Sequence, residues 1–159
     1  MNQRVIHAFA AVAVSAGLFL AFAPASGSAA GPEDQVKARQ QHMKKFGGGM
    51  ATIGKFLKGE GATVEDVQKA AAQIDEAAKG DFATLFPAGT AAPVADSATR
   101  PELWQNLPKA QQLWTDMKPV TAKLVAAAAT GEKAQIAQAQ QATGKVCATC
   151  HEDFRIKKN

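Results

Sequence analysis

Two cysteines and a histidine within five residues, Cys147-Ala148-Thr149-Cys150-His151, constrain this chain more than anything else in it. They are its only cysteines. Cys-x-x-Cys-His is the pattern of covalent haem c attachment. Thiols three positions apart share one side of a helical turn. Each can add to one haem vinyl group as a thioether, and the adjacent histidine offers an imidazole nitrogen to the iron. A structural zinc site needs four ligands from separated pairs, and only His42 remains outside the N-terminal leader. A thioredoxin-like dithiol belongs in a βαβ setting, and no run here reads as a strand. A plain disulfide would leave the histidine without a purpose.

The N-terminus agrees with that reading. Arg4 precedes a largely apolar run over 8–23, then Pro24 and the small residues Ser26-Gly27-Ser28-Ala29-Ala30. A positive start, a short apolar centre and a small-residue exit make a secretory signal peptide. Residues 1–30 are therefore expected to be the leader, cut after Ala30 or Ala29. The run is short for a membrane span, so stable membrane insertion is not expected. Haem c is attached outside the bacterial cytoplasm, and the expected address is the periplasm.

Residues 31–159 suffice for one domain with its own core. The chain carries a net charge of +4, and Arg4 is the leader's only charged residue, leaving +3 for the domain. Two ionised haem propionates bring this to about +1, so nucleic acid is not the implied partner. Lys37, Lys44, Lys45, Lys55 and Lys58 fall along one segment. They read first as a solvated helix face and second as a means of steering an acidic redox partner.

The domain is rich in Ala, Gln and Lys and lacks Tyr, a composition that favours helix. Over about 34–58, Val36, Met43, Met50 and Leu57 recur every seven residues, with Phe46 and Ile53 beside them: a buried seam. Gly47-Gly48-Gly49 implies either a kink or close approach to a large flat ligand. Thr63 and Asp66 suit a capping box for a second helix with Val67, Ala70, Ala71, Ile74, Ala77 and Ala78 inward. Residues 80–99 read as a crossover loop, followed by a short turn of helix carrying Trp104 and Leu107. A third helix from Asn106 and Pro108 to Thr130 should bend at Pro119. A fourth, about 133–157, carries Ile136, Ala139, Thr143, Val146, Cys150 and Phe154 near one stripe. The expected fold is an all-α, antiparallel four-helix bundle with haem c on its C-terminal helix.

This arrangement resembles the class II c-type cytochromes, comprising cytochrome c prime and the low-spin cytochrome c-556. The sharper points are the run from Cys147 to Arg155, Arg39-Gln40-Gln41-His42-Met43, and Arg100-Pro101-Glu102-Leu103-Trp104. The resemblance implies that Cys147 and Cys150 form the thioethers, that His151 is the proximal ligand and that Arg155 lies on the proximal side. It also implies that Arg39 contacts a haem propionate. Met43 matches the position where c-556 supplies a distal methionine ligand, whereas cytochrome c prime usually has an apolar residue there and an open iron. Met50 and Met117 are expected to pack, His42 to be exposed, and Trp104 and Trp114 to serve as core or pocket wall.

The expected function is one-electron transfer with redox partner proteins, closer to the c-556 type. The alternative is a five-coordinate haem binding NO or CO. No acid–base pair or nucleophile is assembled in the sequence, so no enzyme activity is expected. Dimers occur among such relatives, leaving monomer or homodimer open.

Overall fold

The computed structural model describes residues 30–157, so the predicted leader up to residue 29 lies outside the described residues. Four long helices dominate: α1 (Pro32–Lys58), α2 (Val64–Ala78), α5 (Leu107–Thr130) and α6 (Lys133–Phe154). Two four-residue helices, α3 (Phe82–Leu85) and α4 (Glu102–Gln105), and a 3₁₀ turn at Val94–Asp96 lie in the connection between α2 and α5. The long helices pack in a ring, α1 on α2, α2 on α5, α5 on α6 and α6 back on α1. No helix among the described residues is long and apolar enough to cross a membrane.

The caps follow from local sequence. Thr63 and Asp66 form the expected capping box, with Asp66 N donating to Thr63 Oγ1 (3.2 Å) and Thr63 N to Asp66 Oδ2 (3.0 Å). Asp81 accepts from the backbone N–H of Thr84 at 2.7 Å. That cap builds α3 inside a stretch where turn residues alone predicted loop. Gly59 and Gly131 close α1 and α5 in the left-handed conformation.

All six predicted inward residues of α2 are buried. On α1 the burial is subtler. Val36, Phe46 and Ile53 are fully inside, whereas Met43, Met50 and Leu57 of the seven-residue row are half-buried at its edge. Two of the row's residues, Met43 and Met50, also line a cavity and form part of its wall.

The glycine run does not break α1, which continues through it. Close approach does occur at Gly49, but to α2 rather than to a ligand: a Cβ there would lie 2.7 Å from Ile74 Cγ1 and 3.1 Å from the Ala70 carbonyl oxygen. Gly48 is exposed and meets nothing within 4 Å. Gly48→Ala is therefore expected to stabilise the fold by about 0.5–1 kcal/mol through helix propensity. Gly49→Ala should destabilise it by about 1–2 kcal/mol, because Ile74 is fully buried and must shift. Urea unfolding of the two variants gives the opposite signs directly.

α5 runs unbroken through Pro119. One further difference from expectation concerns a helix end. α6 stops at Phe154, short of residue 157, and Arg155 turns to extended backbone. There Arg100 N donates to the Phe154 carbonyl (2.9 Å) and Ile156 N to that of Ala98 (2.8 Å). One antiparallel bridge, Thr99 to Arg155, thus ties the chain just after the motif to the crossover loop. Those backbone partners end the helix where its periodicity would have carried on.

Candidate haem site

A cavity of about 610 Å3 opens between α1, α5, α6 and the crossover loop. Cys147, Cys150 and His151 line it from α6, and Met43, Phe46 and Met50 from α1. Trp114 and Met117 add α5, and Phe82 and Phe86 the connection. Its walls are chiefly apolar with a few convergent polar groups, as small-molecule sites are. The motif that predicted haem is therefore in the wall of a hollow large enough to need a ligand.

The cysteines are half-buried and not joined to each other. Burial pushes the Cys147 thiol up. Burial, then Cys147 and Asp153, push Cys150 up to about 11. Reactive dithiol pairs have depressed values, so these thiols are unlike a redox dithiol. His151 is exposed beside the cavity. Nearby protein and then the Arg155 guanidinium hold its imidazole below the usual range. That favours the neutral ring, the form a metal requires.

Arg39 is buried on α1 and grips the crossover loop. Its Nη1 donates to Thr90 Oγ1 (2.7 Å) and the Leu85 carbonyl (3.2 Å), and its Nη2 to the Thr90 carbonyl (2.8 Å) and Ser97 Oγ (2.9 Å). Its guanidinium also lies 5.2 Å from the centre of the Phe86 ring. All four acceptors are neutral. Burial lowers its pKa, but guanidinium stays charged, and a buried charge calls for an anion. Arg39 also lines the cavity. An acidic group on the cavity's ligand would supply what the protein does not, so the residues present fit a haem.

Other predicted residues fall as follows. Met43 lies in the cavity wall, as do Met50 and Met117. Trp114 is buried and donates to the Gly80 carbonyl (2.9 Å); Trp104 is half-buried and donates to that of Phe86 (3.1 Å). Both serve as core or pocket wall. His42, expected exposed, is half-buried: Nε2 is 2.8 Å from the Ala77 carbonyl, and its ring packs on Phe46 and Trp114. Close packing of α1 on α2 encloses it. Thr90 and Ser97, the anchors of Arg39, were not anticipated, since isolated hydroxyls in a loop follow no period.

A four-helix bundle whose hollow is walled by Cys-x-x-Cys-His defines a class, the c-type cytochromes with haem on the last helix. Residues 34–155 match the family model described as Cytochrome C'. The chain is 35% identical to cytochrome c-556 of Agrobacterium tumefaciens (strain B2A) over 128 residues, 78% of this chain and 98% of that relative. It is 33% identical to cytochrome c' of Allochromatium vinosum over 155 residues, 95% of this chain and 99% of the relative. The crystal structure of cytochrome c' from Thermochromatium tepidum superposes with a TM-score of 0.74 at 30% identity, covering 80% of this chain and 98% of that one. The chain belongs to the cytochrome c' family, the class II c-type cytochromes, and its cofactor is covalent haem c.

Proposed function

We propose that the protein carries single electrons in the periplasm through a haem held by His151 and Met43. One observation supports this most: the methionine matched to the c-556 ligand lies in the wall of the cavity that Cys147, Cys150 and His151 also line. Bound haem supplies the one-electron Fe(III)/Fe(II) couple. Cys147 and Cys150 fix its position as thioethers, and His151 presents a neutral nitrogen on the proximal side. Partial burial, and after it the Arg155 guanidinium, favours the neutral ring, and Arg155 tunes its surroundings. Arg39 neutralises a propionate. Phe46, Phe82, Phe86 and Trp114 limit water, which keeps reorganisation small. A haem held by both His151 and Met43 would leave the iron no place for a substrate, and electron exchange with partner proteins would be its role.

The second reading is a five-coordinate haem that binds NO or CO. The likeness to cytochrome c' favours it, and it differs only in whether Met43 bonds to iron. Residues 1–30 act as an export leader in both readings. The visible spectrum of the purified holoprotein, oxidised, reduced and reduced under CO, tests them. Sharp α and β bands in the reduced protein and indifference to CO are expected. Broad high-spin bands that change under CO would overturn His/Met ligation.

A further inference from the structure

We propose that the cavity-side surface of α1 around Lys44 and Lys45 is the docking site for a redox partner whose own electron-transfer face is rich in carboxylates. The inference rests on the electron-transfer reading above. After Asp34, α1 contains no Asp or Glu, yet carries Lys37, Lys44, Lys45, Lys55 and Lys58. Lys37 is paired loosely with Asp34 (3.8 Å). Lys44 and Lys45 are exposed and enter no ion pair among the described residues.

Position makes the pair matter. Lys44 lines the haem cavity, next to the exposed cavity-lining Gly47. Lys45 lines a second hollow, of about 470 Å3, together with His42. The His42 ring lies 5.7 Å from that of Phe46 and 6.1 Å from that of Trp114, both in the cavity wall. The His42 ring, packed on Phe46 and Trp114, therefore connects the surface hollow that Lys45 lines to the cavity that Lys44 lines. The carboxylates on the two hollows are exposed Asp96 and Glu76, and Glu76 is tied to Lys79 at 3.2 Å; against them stand Lys44, Arg39 and Arg155 on the cavity and Lys45 and Lys79 on the second hollow. The patch is thus locally basic although the holoprotein carries only about +1 overall. Local charge beside a short path to the haem is what steers a partner into a productive orientation.

The test follows oxidation of the ferrous holoprotein by ferricyanide, in which one electron leaves Fe(II) and ferrocyanide departs. A protein with a net charge near +1 should show little salt dependence. A local basic patch predicts a rate falling on the order of tenfold between ~10 mM and ~0.5 M ionic strength. K44E/K45E should slow the low-salt reaction on the order of tenfold. K118E/K123E, the same charge change on exposed positions of α5, should alter it less than about twofold. Poly-L-glutamate, presenting protein-like carboxylates, should inhibit the parent and not K44E/K45E. Equal slowing of both double variants, or of neither, overturns the proposal. Co-sedimentation with phosphatidylglycerol vesicles that requires Lys44 and Lys45 would overturn it in favour of a membrane surface. The visible spectrum of each variant reports ligation separately, so failure of the His/Met reading is distinguishable from failure of the patch.

Discussion

Replacing Met43 by alanine is expected to turn the haem high-spin and open it to carbon monoxide. Met43 sits on the edge row of α1 and lines the cavity that the haem motif shares. In the His/Met reading proposed above, the Met43 thioether would be an iron ligand and would hold the low-spin state; alanine can neither reach nor bond. The folded bundle should survive, because Met43 is half-buried at the cavity rather than in the close-packed interior. The cost of truncation is about 2 kcal/mol or less. Reduced spectra with and without CO read the change, and far-ultraviolet circular dichroism checks the fold. Coincident spectra for parent and variant would mean that Met43 packs without bonding. Met50→Ala serves as comparison: it lines the same cavity from two turns further along α1, so it should leave the ligation bands in place.

Replacing Arg39 by leucine should give the largest loss of stability, about 2–4 kcal/mol. The substitution removes four hydrogen bonds from a buried guanidinium, two to the backbone carbonyls of Leu85 and Thr90 and two to the hydroxyls of Thr90 and Ser97. The hydroxyls keep other partners, since Thr90 also bonds to the Pro87 carbonyl and Ser97 to that of Thr90. The Thr90 carbonyl likewise keeps the Ser97 hydroxyl, so the Leu85 carbonyl loses most. Relief from desolvating a cation offsets part of the loss, which is why the figure stays well below four full hydrogen bonds. Urea unfolding of the holoprotein measures it. The reduction potential should also fall, because a positive charge at the haem favours the reduced state. Arg39→Lys separates the effects: it keeps the charge, and with it most of the potential, but loses the forked grip on the loop. A loss of stability with an unchanged potential in the leucine variant would restrict Arg39 to holding the loop.

How much of this was legible in the sequence depended on whether a residue's role follows a period or a short spacing. The inward stripe of α2, the Thr63 capping box and the motif on the last helix all do, and each was found where expected. The haem c motif is a local chemical pattern, so its meaning survived without any knowledge of the fold. Residues whose roles depend on segments distant in sequence were not legible. Thr90 and Ser97 meet Arg39 across about fifty positions, and no periodicity couples a loop to a helix. His42 was misplaced because helical position alone put it outside, while the turn at Ala77–Gly80 folds against it. The end of α6 was overextended for the same reason: its backbone partners come from residues 98–100.

The place of the motif in the order of helices also governs how the molecule is made. A chain is synthesised from its N-terminus and its segments begin to organise in that order. When α1, α2 and α5 are complete, the hollow they border still lacks the side that α6 provides. Its apolar lining, Phe46, Trp114 and Met117 among it, cannot be fully covered until the segment bearing Cys147 and Cys150 arrives. The part of the chain that captures the haem is thus also the door that shuts on it. The bridge from Arg155 to Thr99 is its latch, so the segment that carries the haem cysteines is also the one that closes the hollow.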